Sequence, residues 1–401
     1  MYSILLIIIY IAFISLGLPD SVLGSAWPCM YSELMVPVSY AGIVSMIISA
    51  CTIVSSMNIN RVVARLGTGL MTAISVAMTA GGLLGFAGSN SFATLCLWAI
   101  PYGLGAGCVD AALNNFVALH YKSKHMSWLH CFWGVGATAG PYIMGFCLAD
   151  GMRWTKGYLI IGIVQAVLSV MLFVSLPLWK NKDMKQVDET GELKVLTVRE
   201  ILNMKGAKNV LIAFFCYCSF ESTAGLWASS YMTIHCGINV QTAARWAALF
   251  YMGITVGRFL SGFISDKFGD KNMTRLGQGI AFFGGLILFM FKTPECVLAG
   301  LLLFGLGCAP IYPSMLHATP EHFGAENSQA LMGVQMGFAY IGLTIMPTIF
   351  GWIADYISIG FYAGYLLLFL VIQIVFTENL NRSHGNFISG TGISTTTADK
   401  T

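Results

Sequence analysis

Charge is scarce in this sequence. Of its 401 residues, 18 are acidic and 21 basic, together 10%, where an average soluble domain carries roughly 25%. Hydrophobic residues make up 56%, and so few charges could not cover the surface of a water-facing core of that size. A soluble enzyme, a nucleic-acid binder and a disordered scaffold are all excluded on that ground. Paired thiols are missing too: the eleven cysteines form no C-x-x-C pair or zinc-spaced cluster, and Cys96, Cys108 and Cys147 fall inside apolar runs, as small packing residues do. The chain has no H-E-x-x-H, no G-x-S-x-G and no G-x-x-x-x-G-K segment, which removes the usual catalytic and nucleotide-binding motifs. His120 and His125 are wrongly spaced for a metal and sit in a basic loop. The N-terminus lacks a basic leader and a cleavage site, and its apolar stretch continues past Gly17, so it reads as a membrane span.

What the chain does have is long apolar runs. A helical span takes about 20 residues, and runs of that kind fall near 3–27, 38–60, 68–88, 93–119, 127–149 and 156–179, then 208–234, 243–265, 273–291, 296–318, 330–352 and 358–379. The expected fold is an all-α membrane protein of twelve transmembrane helices in two pseudo-symmetric six-helix bundles, residues 1–179 and 208–380. Between them, 180–207 is a charged linker with room for a short amphipathic helix. The Ser-, Thr- and Gly-rich tail 381–401 has no apolar face and is expected to be disordered. Lys and Arg divide unevenly between the connections. Arg153, Lys156, Lys292 and Arg245 fall on one side, against sixteen on the side of the termini and linker. The positive-inside bias therefore places both termini in the cytoplasm and the protein in the cell membrane.

The halves also repeat. Arg65-Leu66-Gly67 is answered 202 positions later by Lys267-Phe268-Gly269, and Gly103-Leu104-Gly105 by Gly305-Leu306-Gly307 at the same interval. Pro141 with Gly145 is answered by Pro347 with Gly351. Such parallel repeats place a site near mid-membrane between two bundles.

Acidic residues in apolar helices mark that site, because a carboxylate at the bilayer centre costs roughly 2.5–3.5 kcal/mol and turns inward. Asp20 follows Pro19, which breaks the first span; Glu221 is its near-symmetric counterpart. Asp110 and Asn114 share a helical face at i,i+4, with Asn115 beside them. His130 and Trp133 share another at i,i+3. A carboxylate, an amide and an indole suit a polyhydroxylated ligand. Tyr217 shares the face of Glu221, and Tyr251, Tyr312 and Gln335 are further candidates. Arg258, the one basic residue deep in a span, is read as lying toward its cytoplasmic end, which disfavours anionic solutes.

The segment Gly262-Phe263-Ile264-Ser265-Asp266-Lys267-Phe268-Gly269-Asp270-Lys271 resembles the cytoplasmic loop motif of the major facilitator superfamily. Its first-half copy keeps Arg65 and Gly67 but has Ala64 where an acid is usual. The resemblance implies gating loops at Arg65, Gly67, Gly262, Asp266, Lys267 and Gly269. Cys108-Val109-Asp110-Ala111-Ala112-Leu113-Asn114 resembles the fourth helix of the fucose permease branch, and Gly17-Leu18-Pro19-Asp20 its first. Leu129-His130-Cys131-Phe132-Trp133-Gly134-Val135-Gly136 is similar to the fifth helix of sodium-coupled glucose carriers. By that resemblance Asp110 is the protonation switch, with Asp20 and Asn114 sugar contacts or coupling groups. The expected activity is uptake of a small polar solute, a sugar first, by symport with H+ ahead of Na+. No cofactor, no metal and no nucleic acid is expected, only solute and lipid bilayer, with the protein a monomer. Gly136-x-x-x-Gly140-Pro141 resembles a drug–proton antiporter motif and keeps proton-driven efflux as an alternative; a non-transporting receptor is the alternative of another class.

Overall fold

The computed structural model describes residues 2–20, 22–37, 40–149, 152–179 and 196–390. Asp150, the linker charges from Lys180 to Lys194 and the end of the tail from 391 lie outside the described residues. With no water in the hydrocarbon core to bond peptide groups, spanning segments satisfy them internally as helices. The first lobe holds α1 Tyr2–Gly17, α2 Val22–Glu33, α3 Tyr40–Met57, α4 Ile59–Ala87, α5 Phe92–His120, α6 Ser123–Ala149 and α7 Trp154–Val174. After a short α8, Val198–Asn203, the second lobe holds α9 Ala207–Ile234, α10 Val240–Phe268, α11 Asp270–Met290 and α12 Pro294–His317. It is completed by the short α13 Thr319–Phe323, α14 Ala325–Ile353 and α15 Tyr362–Gly390. The α1–α2 pair counts as one interrupted span, which gives twelve.

The lobes repeat their packing as well as their sequence. In the first, α4 packs on α5 and α7, α3 on α5, and α1 on α6; in the second, α11 packs on α12 and α15, α10 on α12, and α9 on α14. These are the same four pairings by span order. The lobes then meet along two seams, α6 against α10 and α3 against α14.

The break in the first span follows the sequence reading, whereas element ends elsewhere depart from it. The first span is interrupted between Gly17 and Val22, where Pro19 has no N–H to donate. Residues 61–67, read as a loop, are helical up to a break at Gly67, whose φ of 73° only glycine adopts freely. The last helix continues to Gly390, so residues 381–390 are helical where a disordered tail is expected. The anticipated linker helix is α8, opened by a capping box in which Thr197 and Glu200 bond each other's backbone N–H.

Candidate functional site

The break after α1 is where the site begins. Pro19 leaves the Ser15 carbonyl, four residues back, without its helical donor, and the Gln165 side-chain amide of α7 supplies that bond. α1 lies directly on α6, because a Cβ at Gly17 would overlap the Trp133 carbonyl and one at Gly136 or Gly140 would overlap the backbone of Ile14 or Leu18. The glycines of the antiporter-like motif are therefore occupied in helix packing. This contact brings Trp133 beside Asp20: its indole N–H donates to Asp20 Oδ2 at 2.9 Å, and the Tyr102 hydroxyl reaches Oδ1 at 3.5 Å.

Asp110 is buried in the middle of α5. Asn114 donates to its Oδ1 at 2.8 Å, and the Asn114 carbonyl oxygen meets His130 Nε2 at 3.0 Å. Asn114 already donates to Asp110, so its oxygen accepts, and His130 carries its proton on Nε2. The other carboxylate oxygen of Asp110 accepts from the Tyr340 hydroxyl of α14 at 3.2 Å. One acid thus joins Asn114 and His130 of the first lobe to a hydroxyl in the second. Asp110 is also near enough to Asp20 for their charges to act on each other.

The second lobe answers with an ion pair. Arg258 Nη2 lies 3.3 Å from Glu221 Oε1, the arginine side chain 6% and the glutamate 21% exposed. The guanidinium also faces two rings, Trp133 at 5.9 Å and Tyr312 at 6.0 Å. Trp133 therefore stands between the Asp20 carboxylate of one lobe and the Arg258 guanidinium of the other. Arg258 is ten residues from the basic end of α10, about 15 Å along the axis, and so lies inside the span, nearer its basic end than its other end, as the sequence reading has it. What the sequence did not show is its pairing with Glu221.

The other candidates are placed as follows. Tyr312 stacks edge-on to His130 at 4.8 Å and so spans the lobes. Tyr217 is buried and donates to the Cys308 carbonyl at 3.0 Å. Gln335 is buried in its own lobe, accepting from Thr319 at 3.3 Å. Asn115 is not on the Asp110 face: it donates to Gln329 at 3.0 Å and accepts from Ser328 at 2.6 Å, so it forms part of a contact between lobes. Tyr251 is half exposed, and its hydroxyl occupies the space a side chain at Gly225 would need. The residues sequence reasoning missed are Tyr340, Tyr102 and Gln165. Their hydroxyl or amide groups in apolar helices are common, and nothing local marks them.

Among the described residues, the hydrogen bonds joining the lobes lie at the centre or on the basic side. Lys124 pairs with Asp266 at 3.5 Å, Ser123 donates to Asp270 at 2.5 Å, and Trp128 donates to the Phe259 carbonyl at 3.3 Å. Gly262 packs so closely on the Trp128 indole that a Cβ would overlap it. Gly269 and Gly67 share a backbone shape, φ 73° and ψ 156° against φ 73° and ψ 164°. Arg65 and Lys267 are exposed. The centre is thus closed from the basic side.

Comparison with known proteins agrees with this fold. The chain is 24% identical over 271 residues to the cis,cis-muconate transport protein of Acinetobacter baylyi, covering 64% of each. It is 26% identical over 229 residues to the glucose/mannose transporter GlcP of Bacillus subtilis, covering 55% of this chain and 56% of that one. The matched stretch spans less than two thirds of either relative. Among solved structures, FucP in the outward conformation superposes with a TM-score of 0.76 at 15% identity over 94% of this chain and 99% of that one. The proton:xylose symporter XylE gives 0.75 at 12% identity over 94% of both. The sequence profile of the Major Facilitator Superfamily matches residues 9–294 and 210–392. Two repeated lobes, a polar centre inside apolar helices and this profile together make the chain a multi-pass membrane protein of the Major Facilitator Superfamily.

Proposed function

We propose that the protein takes up a small neutral polyhydroxylated solute, a sugar being the leading class, together with a proton, across the cell membrane with both termini in the cytoplasm. The observation that carries this reading is the Tyr340–Asp110 bond between lobes. Ionised, Asp110 accepts from Asn114 on one side and Tyr340 on the other, which holds the lobes together. Protonated, it loses an accepting position and half its attraction for both donors, so proton binding changes the relative energy of open and closed states. Asp20, Trp133 and the Glu221–Arg258 pair line the same centre with donors, acceptors and an indole face, which suits hydroxyl groups and a sugar ring. The names of the muconate and glucose/mannose relatives support a small polar solute, and proton coupling is in keeping with the name of XylE.

Asp110→Asn tests it. In proteoliposomes this variant should lose uphill accumulation driven by a pH gradient, by at least tenfold, while retaining exchange of labelled for unlabelled solute. Retained uphill uptake would remove Asp110 from coupling.

One observation favours a second reading. The Nε of Arg258 is buried without a hydrogen-bond partner, and a guanidinium freed from Glu221 by protonation of that acid would receive a carboxylate. Competition for uptake by hydroxylated carboxylic acids but by no neutral sugar would select this solute class.

A further inference from the structure

His317, the last residue of α12, lies outside every group used above. Its Nδ1 is 2.6 Å from Asp270 Oδ2, and its Nε2 is 3.0 Å from the Tyr121 carbonyl oxygen. Asp270 opens α11 and so belongs with His317 to the second lobe, whereas Tyr121 closes α5 in the first. Ser123, at the start of α6, donates to the other oxygen of Asp270 at 2.5 Å. The imidazole is thus clasped from both lobes on the basic side, its side chain 18% and that of Asp270 11% exposed.

Counting hydrogens fixes the charge. A carbonyl oxygen only accepts, so Nε2 must carry a hydrogen for that contact to be a bond. A neutral imidazole has only one N–H, which would leave the Nδ1 lone pair facing a carboxylate lone pair at 2.6 Å. That contact is repulsive without a hydrogen between the two atoms. The closed arrangement therefore requires a hydrogen in each contact, and the one between Nδ1 and Oδ2 rests on the imidazole, the more basic of the two groups. Once the lobes part, Tyr121 and Ser123 are withdrawn, and a neutral imidazole can donate from Nδ1 to Asp270 while Nε2 meets water. The open state satisfies every group with one proton fewer.

We propose that His317 and Asp270 form a second proton-binding site, separate from the central carboxylates, which is filled when the lobes close on the basic side and can empty when they open. The charged and titratable groups facing the imidazole are Asp270 of α11, Asp266 of α10 and His125 of α6. Asp266 is itself paired with Lys124 at 3.5 Å, which leaves Asp270 as the unshared charge beside the ring. The close carboxylate on Nδ1 and the carbonyl on Nε2 then decide the protonation state. By linkage, the ratio of closed to open protein falls as pH rises on that side, by up to tenfold per unit over the range where the open state has lost its proton and the closed state has kept it. The inference rests on alternating access but not on which solute is carried.

Spin labels at Arg61 and Lys208, exposed positions in different lobes on the basic side, would report the closed fraction by double electron–electron resonance in solute-free protein between pH 5.5 and 8.5. Asp270→Asn is the decisive variant. Its side-chain NH2 donates to the Nδ1 lone pair of a neutral imidazole, so the clasp forms without an added proton. Wild type should open progressively with rising pH, and Asp270→Asn should stay closed with a shallower slope, the remainder coming from the central acids common to both. Equal slopes would overturn the proposal. Nitrogen-15 NMR of histidine-labelled wild type is the second measurement, the signal absent from His317→Gln being assigned to His317. In the closed state at pH 7 it should be a doubly protonated imidazolium, and a neutral ring would equally overturn the proposal. Failure of sugar uptake alone would touch the proposed solute and leave this site standing.

Discussion

Trp133 is the residue on which the centre turns, since its N–H serves Asp20 and its ring faces Arg258. Trp133→Phe keeps an aromatic face and removes the donor. A hydrogen bond to a charged group is worth about 1.5–3 kcal/mol, so solute affinity measured by calorimetry should fall by about tenfold or more, with the thermal midpoint little changed. An unchanged affinity would detach Trp133 from binding. On the opposite face Glu33 accepts from Arg153 at 2.9 Å and Trp154 at 2.8 Å. The bond to Arg153, against some desolvation and with help from the Trp154 N–H, holds its carboxyl below the usual range. A depressed pKa stabilises above the unfolded value and is lost as pH falls through the folded one. The gap in melting temperature between wild type and Glu33→Gln should therefore be present at pH 7 and close below about pH 4. Because the pair is partly exposed the gap should be small, and a gap that does not narrow on acidification would contradict the assignment. Asp20, Asp110 and Glu221 were legible in sequence because an acid in an apolar run needs an inward partner. The role of Arg258 was not, because its partner is 37 positions away on another helix. Asn115 was misjudged because adjacency in sequence is a turn of about 100° around a helix, away from the face of Asn114.

Helices here depend on a few exchanges of backbone groups. The proline that interrupts the first span leaves the Ser15 carbonyl without its helical donor, and Gln165 meets that need from another helix. Gln165→Leu removes the only side-chain donor described for that carbonyl. An unsatisfied buried acceptor costs about 1–3 kcal/mol, so the variant should melt lower and bind solute more weakly as Asp20 loses its fixed position. Gly140→Ala should act on the same helix pair by sterics: overpacking of this kind costs about 1–3 kcal/mol, and melting should drop by several degrees in detergent. A neutral result would mean that α1 and α6 have room to separate. The proline break and the small residues were visible in sequence, but the amide that repairs the break was not. A glutamine inside α7 carries no signal of which carbonyl it meets. Helix ends were read short, since basic and polar residues that continue a helix past the hydrocarbon look like loop by composition alone.

The whole molecule is two copies of one bundle closed on the basic side. Loop motifs repeated at a fixed interval made that architecture readable from sequence, whereas the closed side is a property of contacts between distant residues. Asn115 and Ser328 meet at 2.6 Å across the seam. Cysteines at both positions, in a background with the native thiols replaced, should form a disulfide that abolishes transport until it is reduced, with solute binding from the far side retained. Transport by the oxidised protein would contradict alternating access through this contact.

The two basic loops share a backbone shape but not a charge pattern, and this makes the seams unlike. Where α6 meets α10, the joint is ionic. Where α3 meets α14, a Cβ at Gly333 would strike the Ser56 carbonyl and one at Gly337 the Met57 side chain, so that joint is a fit of surfaces with nothing for dissolved ions to screen. Raising ionic strength on the basic side weakens one edge and spares the other, and the lobes should then peel apart from the α6 edge, swinging about α3 and α14.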